Sequence, residues 1–184
     1  MDQKNNFEKA RSYALRLLKT RIRSERELVE RMERKGYSKE VSEKIASDLK
    51  RVGLLDDRRF AKLFALDEIE LKCKGPWYIK HKLKMFGLND ELISQTLDEV
   101  MEEVDLKKVF AHFVRSHHGK SRDKIAEGLI RRGFDSHTVH EMLLEILDDW
   151  RFDNESRTDA HTDIRSHSHT CSDNGPPDGQ GKRT

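Results

Sequence analysis

The residues able to do covalent or metal chemistry are few, and their spacing is poor for it. Gly119-Lys120-Ser121 matches the end of a phosphate-binding loop, whose glycine-rich turn between strand and helix cradles phosphates with backbone N–H groups. That loop requires a glycine five residues before Gly119. The position holds Val114, at the end of a helical rather than a strand pattern, so nucleotide binding is rejected. His117 and His118 are adjacent and would point in different directions on a helix, which makes them a poor metal pair. His167, His169 and Cys171 could take up a soft metal, but a passive polar segment is the simpler expectation. Cys73 has no companion thiol and is expected to be inert. Asp56 and Asp57 lie where a helix should begin, with no nearby histidine or carboxylate cluster, so capping outweighs acid–base work. No catalytic residue, metal site or cofactor is expected.

What remains is the chemistry of cations. Arg31, Arg34 and Lys35 fall at i, i+3 and i+4 and share one side of a helix, with Lys19, Arg21, Arg23 and Arg26 near its start. Lys72, Lys74, Lys80 and Lys84 surround Trp77 and Tyr78, and farther on stand Arg115, Lys120, Arg122, Lys124, Arg131 and Arg132. Cations beside an aromatic platform suit a phosphate backbone with unstacked bases, or an acidic protein surface. The plainer alternative is a solvated face of i,i+4 pairs with the abundant glutamates. For Trp77, just past a helix start, that alternative is a cap on the core.

The elements that must position these groups are helices in a repeated arrangement. Ser24 with Glu27 reads as a capping box, in which hydroxyl and carboxylate each satisfy a backbone N–H of the first turn. Leu28 and Met32 form an apolar stripe, Gly36 stops the helix, Tyr37 offers a buried anchor and Ser38 caps the next helix. The construction recurs from Gly75 to Asn89, with Pro76 at the first helical position, Ile79 and Leu83 as the stripe and Gly87 as the stop. It recurs again from Ser121 to Asp135, with Ile125, Leu129, Gly133 and Phe134. In each copy the glycine follows the first cap by twelve residues and precedes the second cap by two.

Each copy is flanked by two further helical stripes. The first set has Ala10, Ala14, Leu17 and Leu18 in a helix from about 7 to 22, then Val41, Ile45 and Leu49. Residues 1–6 are expected to stay loose. The second set has Phe60, Leu63, Phe64 and Leu71 as a buried stripe, then Leu92, Ile93, Leu97 and Val100. The third has Leu106, Val109, Phe110, Phe113 and Val114, then Val139, Leu143 and Ile146. The expectation is an all-α fold of three tandem three-helix repeats, 7–55, 56–104 and 105–150, in an elongated, curved array. The segment 151–184 has almost no large apolar residues and is expected to be a disordered tail.

Composition sets the outer limits. The 184 residues are 38% charged and 35% hydrophobic, with a mean hydropathy of −0.87, near the range where a chain struggles to bury enough apolar surface. Only the strong periodicity offsets this. A net charge of +2 is close to neutral, so any attraction to an anionic partner must come from the arrangement of charges. The tail from Arg151 holds five Lys or Arg against six Asp or Glu, which leaves 31 against 28 before it. Two distant cysteines, no signal peptide and no apolar run approaching about 18 residues lead to the expectation of a soluble, cytoplasmic chain that does not enter a membrane.

The tandem triplets, the segment Gly53-Leu54-Leu55-Asp56-Asp57-Arg58-Arg59-Phe60-Ala61, the start Arg23-Ser24-Glu25-Arg26-Glu27-Leu28 and Lys74-Gly75-Pro76 together resemble the RecX regulatory proteins. The resemblance spans about residues 10–148 and does not cover the tail. It implies a non-enzymatic modulator that binds the RecA recombinase and the RecA filament on single-stranded DNA, mostly inhibiting ATP hydrolysis, strand exchange and filament growth; a monomer is expected. The basic positions named above are then the expected contact face, with weak direct binding to single- or double-stranded DNA in addition. The alternative is a helical module that binds nucleic acid directly and has no recombinase partner.

Overall fold

The computed structural model describes residues 2–147, and side chains from residue 5 onward. The tail of 151–184, with His167, His169 and Cys171, lies outside the described residues. Met1–Ile146 form one compact unit, and it is helical throughout, with no strand among the described residues. In chain order the helices are α1 (Asp2–Thr20), α2 (Glu25–Arg34), α3 (Lys39–Arg51), α4 (Asp57–Glu70), α5 (Pro76–Met85), α6 (Asp90–Glu103), α7 (Leu106–Ser116) and α8 (Arg122–Ile130). A ninth, α9, runs over 136–147.

The second cap of every triplet works as its residue type dictates. Ser38 Oγ, Asn89 Oδ1 and Asp135 Oδ1 each accept the backbone N–H three residues on, from Val41 at 3.4 Å, Leu92 at 2.8 Å and Thr138 at 2.8 Å. Just before each cap, Gly36, Gly87 and Gly133 adopt φ of +99°, +86° and +98°, which a side chain would disfavour. The following residue then bonds back into the helix, Tyr37 N–H to Met32 O and Leu88 N–H to Leu83 O, both at 3.2 Å.

Three small cores result. In the first, Ala10 and Ala14 are fully buried, and their lack of bulk lets α1 settle on Leu28 and Met32 of α2 and Ile45, Ala46 and Leu49 of α3. Each fully buried Leu, Ile or Met contributes roughly 2 kcal/mol. The second core has Ile69, Ile79, Leu83, Ile93 and Val100 at its centre. The rings of Phe60, Phe64 and Phe86 pack against one another there, with centroids 5.2 to 5.9 Å apart. The third is built on Phe110, which meets Phe134 edge-on at 4.8 Å, together with Leu129, Val139 and Leu143.

Several expectations are corrected. α1 begins at Asp2 rather than near residue 7, since residues 2–6 hold neither Gly nor Pro and extending a helix costs little once it is nucleated. Leu63 and Leu71 are 41% and 78% exposed; α4 buries Phe60, Ala61, Ala65, Glu68 and Ile69 instead, and the other two leucines fall off that stripe. Tyr37 is half-buried. The capping box at α2 is only half made, because Ser24 Oγ accepts Glu27 N–H at 3.1 Å while the Glu27 carboxylate turns elsewhere. Ser121 holds the cap position of α8 but makes no side-chain capping bond.

Consecutive triplets are joined through their middle helices. Ser24 Oγ donates to the Phe86 carbonyl at 3.0 Å, so the start of α2 sits on the end of α5. Asp57 Oδ1 accepts Glu25 N–H at 2.8 Å, giving α2 a cap from α4 that no local sequence rule foresees. In turn Gly75 N–H donates to Arg132 O at 2.8 Å and Trp77 N–H to Gly133 O at 3.2 Å, so the start of α5 sits on the end of α8. A Cβ on Gly75 would fall 2.2 Å from the Gly133 carbonyl carbon. Only glycine fits there.

Candidate functional site

The cations at the start of α2 and along it are largely committed to glutamates of α2. Arg21 and Arg23 both pair with Glu27 Oε1, and Arg31 Nε reaches it at 3.3 Å. Arg26 and Arg34 pair with Glu30 at 2.9 and 3.2 Å. The Arg26 hydrogen bond is the main reason Glu30 lies below its ordinary pKa. Arg23 corrects the expected contact face: it is buried, with Nε on the Leu17 carbonyl at 3.3 Å, and it fastens the α1–α2 turn. Lys19 and Lys35 are exposed.

The second and third triplets bring their charges together. The chain turn after α4 places Lys72 and Lys74 beside the end of α8, where Arg132 Nη1 approaches the Lys72 carbonyl at 3.5 Å. The Arg132 guanidinium also lies 4.9 Å from the Phe113 ring centroid. Lys74 and Lys82 sit over the Tyr78 ring at 4.7 and 5.6 Å. Trp77 does not cap the core. It is 67% exposed, packs against His81 at 4.3 Å, and with Pro76, Ile130, Arg131 and Phe134 lines an open, largely apolar cavity of about 510 Å³. The reason is the joint: Gly75 and the Trp77 backbone are drawn against Gly133, which leaves the indole outside.

Not every expected cation is free there. Lys72 pairs with Glu68, whose hydrogen bond raises the lysine's pKa. Lys84 pairs with Asp90 at 2.7 Å and lowers that carboxyl's pKa. Lys80, Arg115, Lys120, Arg122 and Lys124 are exposed. Sequence reasoning missed the roles of Glu27 and Glu68, each with one carboxylate oxygen buried and unpartnered. Their signal was a cation four residues away, Arg23 and Arg31 for Glu27 and Lys72 for Glu68. It also missed His81 and Lys82, which differ in sequence from surface residues in nothing but their distance from Trp77 and Tyr78.

No group of His, Cys, Asp or Glu able to hold a metal occurs among the described residues. His117 stacks on Phe113 at 4.1 Å with Nδ1 2.9 Å from its carbonyl. No helix among them is long and apolar enough to cross a membrane.

The model of the first three-helix domain of RecX matches residues 10–49, and that of the second matches residues 56–97. The regulatory protein RecX of Thermotoga maritima is 41% identical over 139 residues, covering 73% of this chain and 83% of the relative. The chain belongs to the RecX family. The regulatory protein RecX of Chlorobium phaeobacteroides is 30% identical over 142 residues, covering 76% of this chain and 94% of the relative. Two crystal structures share the fold. That of a regulatory protein RecX has a TM-score of 0.62 at 26% identity, over 76% of this chain and 72% of the other. That of RecX from Lactobacillus salivarius has a TM-score of 0.64 at 18% identity, over 77% and 97%. Within the RecX family match, the second domain model ends at residue 97, so Arg131 and Arg132 lie beyond both matched domains although they pack against the second triplet.

Proposed function

We propose that this RecX-family chain regulates homologous recombination and DNA repair by binding the RecA recombinase and its filament on single-stranded DNA. It limits ATP hydrolysis and filament growth. It works by binding, as a monomer in the cytoplasm, with no covalent step of its own. The observation that supports this most is the α5–α8 joint, where the exposed Trp77 shares a cavity with Arg131 and one acid, Asp135, while close by in the chain Lys74 lies over Tyr78 and Arg132 approaches the Lys72 carbonyl. Such a surface meets an anionic, partly apolar target better than either triplet alone. The exposed Lys19, Lys35, Lys80, Arg115, Lys120, Arg122 and Lys124 add longer-range attraction. Titrating the chain into RecA on single-stranded DNA tests the reading. Hydrolysis should fall as the chain approaches saturation, and unchanged hydrolysis at saturation rules the proposal out.

The exposure of Trp77 also favours a second reading, direct binding of nucleic acid without a recombinase. That reading requires tight binding to DNA alone that weakens steeply with salt. Weak binding to DNA in the absence of RecA disposes of it.

A further inference from the structure

Two of the three glycine turns hold a guest. The Gly87 turn receives the start of α2: Ser24 Oγ donates to Phe86 O at 3.0 Å, and a Cβ on Gly87 would lie 2.6 Å from Arg26 Cδ. The Gly133 turn receives the start of α5, through the bonds from Gly75 and Trp77, and a Cβ on Gly133 would lie 2.7 Å from Tyr78 N. In both joints a helix N-terminus abuts a helix C-terminus, so opposite ends of two backbone dipoles face each other.

The order of triplets leaves the equivalent Gly36 turn without a guest. Nothing lies within 4 Å of the place its Cβ would take. The Lys35 and Gly36 carbonyls, counterparts of Phe86 O, Arg132 O and Gly133 O, receive no bond among the described residues. Beside the turn is a cavity of about 430 Å³ lined by Lys9, Tyr13, Arg16, Lys35, Tyr37 and one acid, Glu8. Tyr13 and Tyr37 pack at 5.9 Å, and the Arg16 guanidinium lies 5.3 Å from the Tyr13 ring centroid. Lys9, Arg16 and Lys35 take part in none of the ion pairs among the described residues.

We propose that the Gly36 turn and this cavity form a docking site for a helix start with an acidic first turn on a partner protein. The two filled joints fix the kind of guest, a helix N-terminus. The three cations fix its charge, as α2 itself illustrates with Glu25 and Glu27 in its first turn. A second copy of this chain is a poor guest. The counterpart helix start left open at the other end of the row, Ser121 of α8, is flanked by Lys120, Arg122 and Lys124 with Asp123 the one acid, so two copies would set like charges together.

The test uses the full chain and a fluorescein-labelled, lactam-bridged helical peptide with the sequence of residues 24–35, SERELVERMERK. Anisotropy should rise saturably at low salt. Affinity should fall roughly tenfold on Arg16→Glu or Lys35→Glu, and similarly when both first-turn glutamates of the peptide become glutamine. Arg51→Glu, an exposed change on α3 away from the turn, should leave it unaltered. Circular dichroism checks that each variant is folded. No saturable binding at about 1 mM peptide, or binding indifferent to both reversals, overturns the proposal. So does concentration-dependent dimerisation in sedimentation velocity that Lys35→Glu abolishes, which would make a second copy the guest. Displacement of the peptide by a single-stranded oligonucleotide whose own affinity falls with Lys35→Glu also overturns it, by making the turn a phosphate site.

Discussion

Cys73 follows α4 with φ of +51°, in the left-handed region that glycine takes after α2, α3, α5, α7 and α8, and its side chain is buried. Burial pushes the thiol up to about 11, so almost no thiolate exists at neutral pH. In a Cys171→Ser background, the remaining thiol should resist alkylation at pH 8 while folded and react within minutes in denaturant, as read by mass spectrometry. The carboxyls give a prediction of opposite sense. Asp105 is held below its ordinary pKa mainly by the Lys108 backbone N–H, and Asp135 by its bonds to Thr138. Glu30 and Asp90 are lowered by Arg26 and Lys84. A carboxyl that is more acidic folded than unfolded stabilises the fold above its unfolded pKa and loses that contribution as pH falls through the folded one. Melting temperature should therefore be level from about pH 7 to 5 and drop below about pH 4. Lys50, Lys62 and Lys72 are raised by Glu25, Glu103 and Glu68. They stabilise below the ordinary lysine pKa, and their contribution disappears as pH rises past about 10.5.

At the scale of the helix, the three middle helices share a sequence frame but not the same caps. Ser24 is fully buried, accepts Glu27 N–H and donates to Phe86 O, while Ser121 occupies the equivalent place and makes no capping bond. Ser24→Ala should cost about 2 kcal/mol, the upper end for a cap because the part-buried Phe86 carbonyl also loses its donor. Ser121→Ala should cost under about 0.5 kcal/mol. Urea unfolding of the two variants measures both. The same contrast explains how the sequence misled at Trp77. Its position after Pro76 marks a helix start, but the joint beneath that start decides which way the indole faces.

At the scale of the whole unit, the joints decide what the charges can do. Gly75→Ala places a methyl group into the Gly133 backbone and should destabilise by about 3 kcal/mol, read as a lower urea midpoint. A smaller reversal separates the two groups of cations. Arg131→Glu with Lys74→Glu should weaken binding to RecA filaments at least tenfold and flatten its salt dependence. Arg34→Glu, in a cation already paired with Glu30, should change it less than threefold. Filament co-sedimentation at two salt concentrations measures each.

Helix number, order and second caps were legible in the sequence, because a cap, an apolar stripe and a left-handed glycine act within a dozen residues and need no distant partner. Leu28 with Met32, Ile79 with Leu83 and Ile125 with Leu129 could be placed inside on spacing alone, and all six are buried. Which cations stay available could not be read the same way. Arg21, Arg23 and Arg31 converge on Glu27, and Arg132 meets Lys72 across sixty residues. Arg23 and Arg31 reach Glu27 at the i,i+4 spacing that the sequence offered, but the meeting of Arg132 with Lys72 depends on where helix ends meet. Local periodicity fixes the face a helix buries, but only the packing of one triplet on the next decides which charged ends touch.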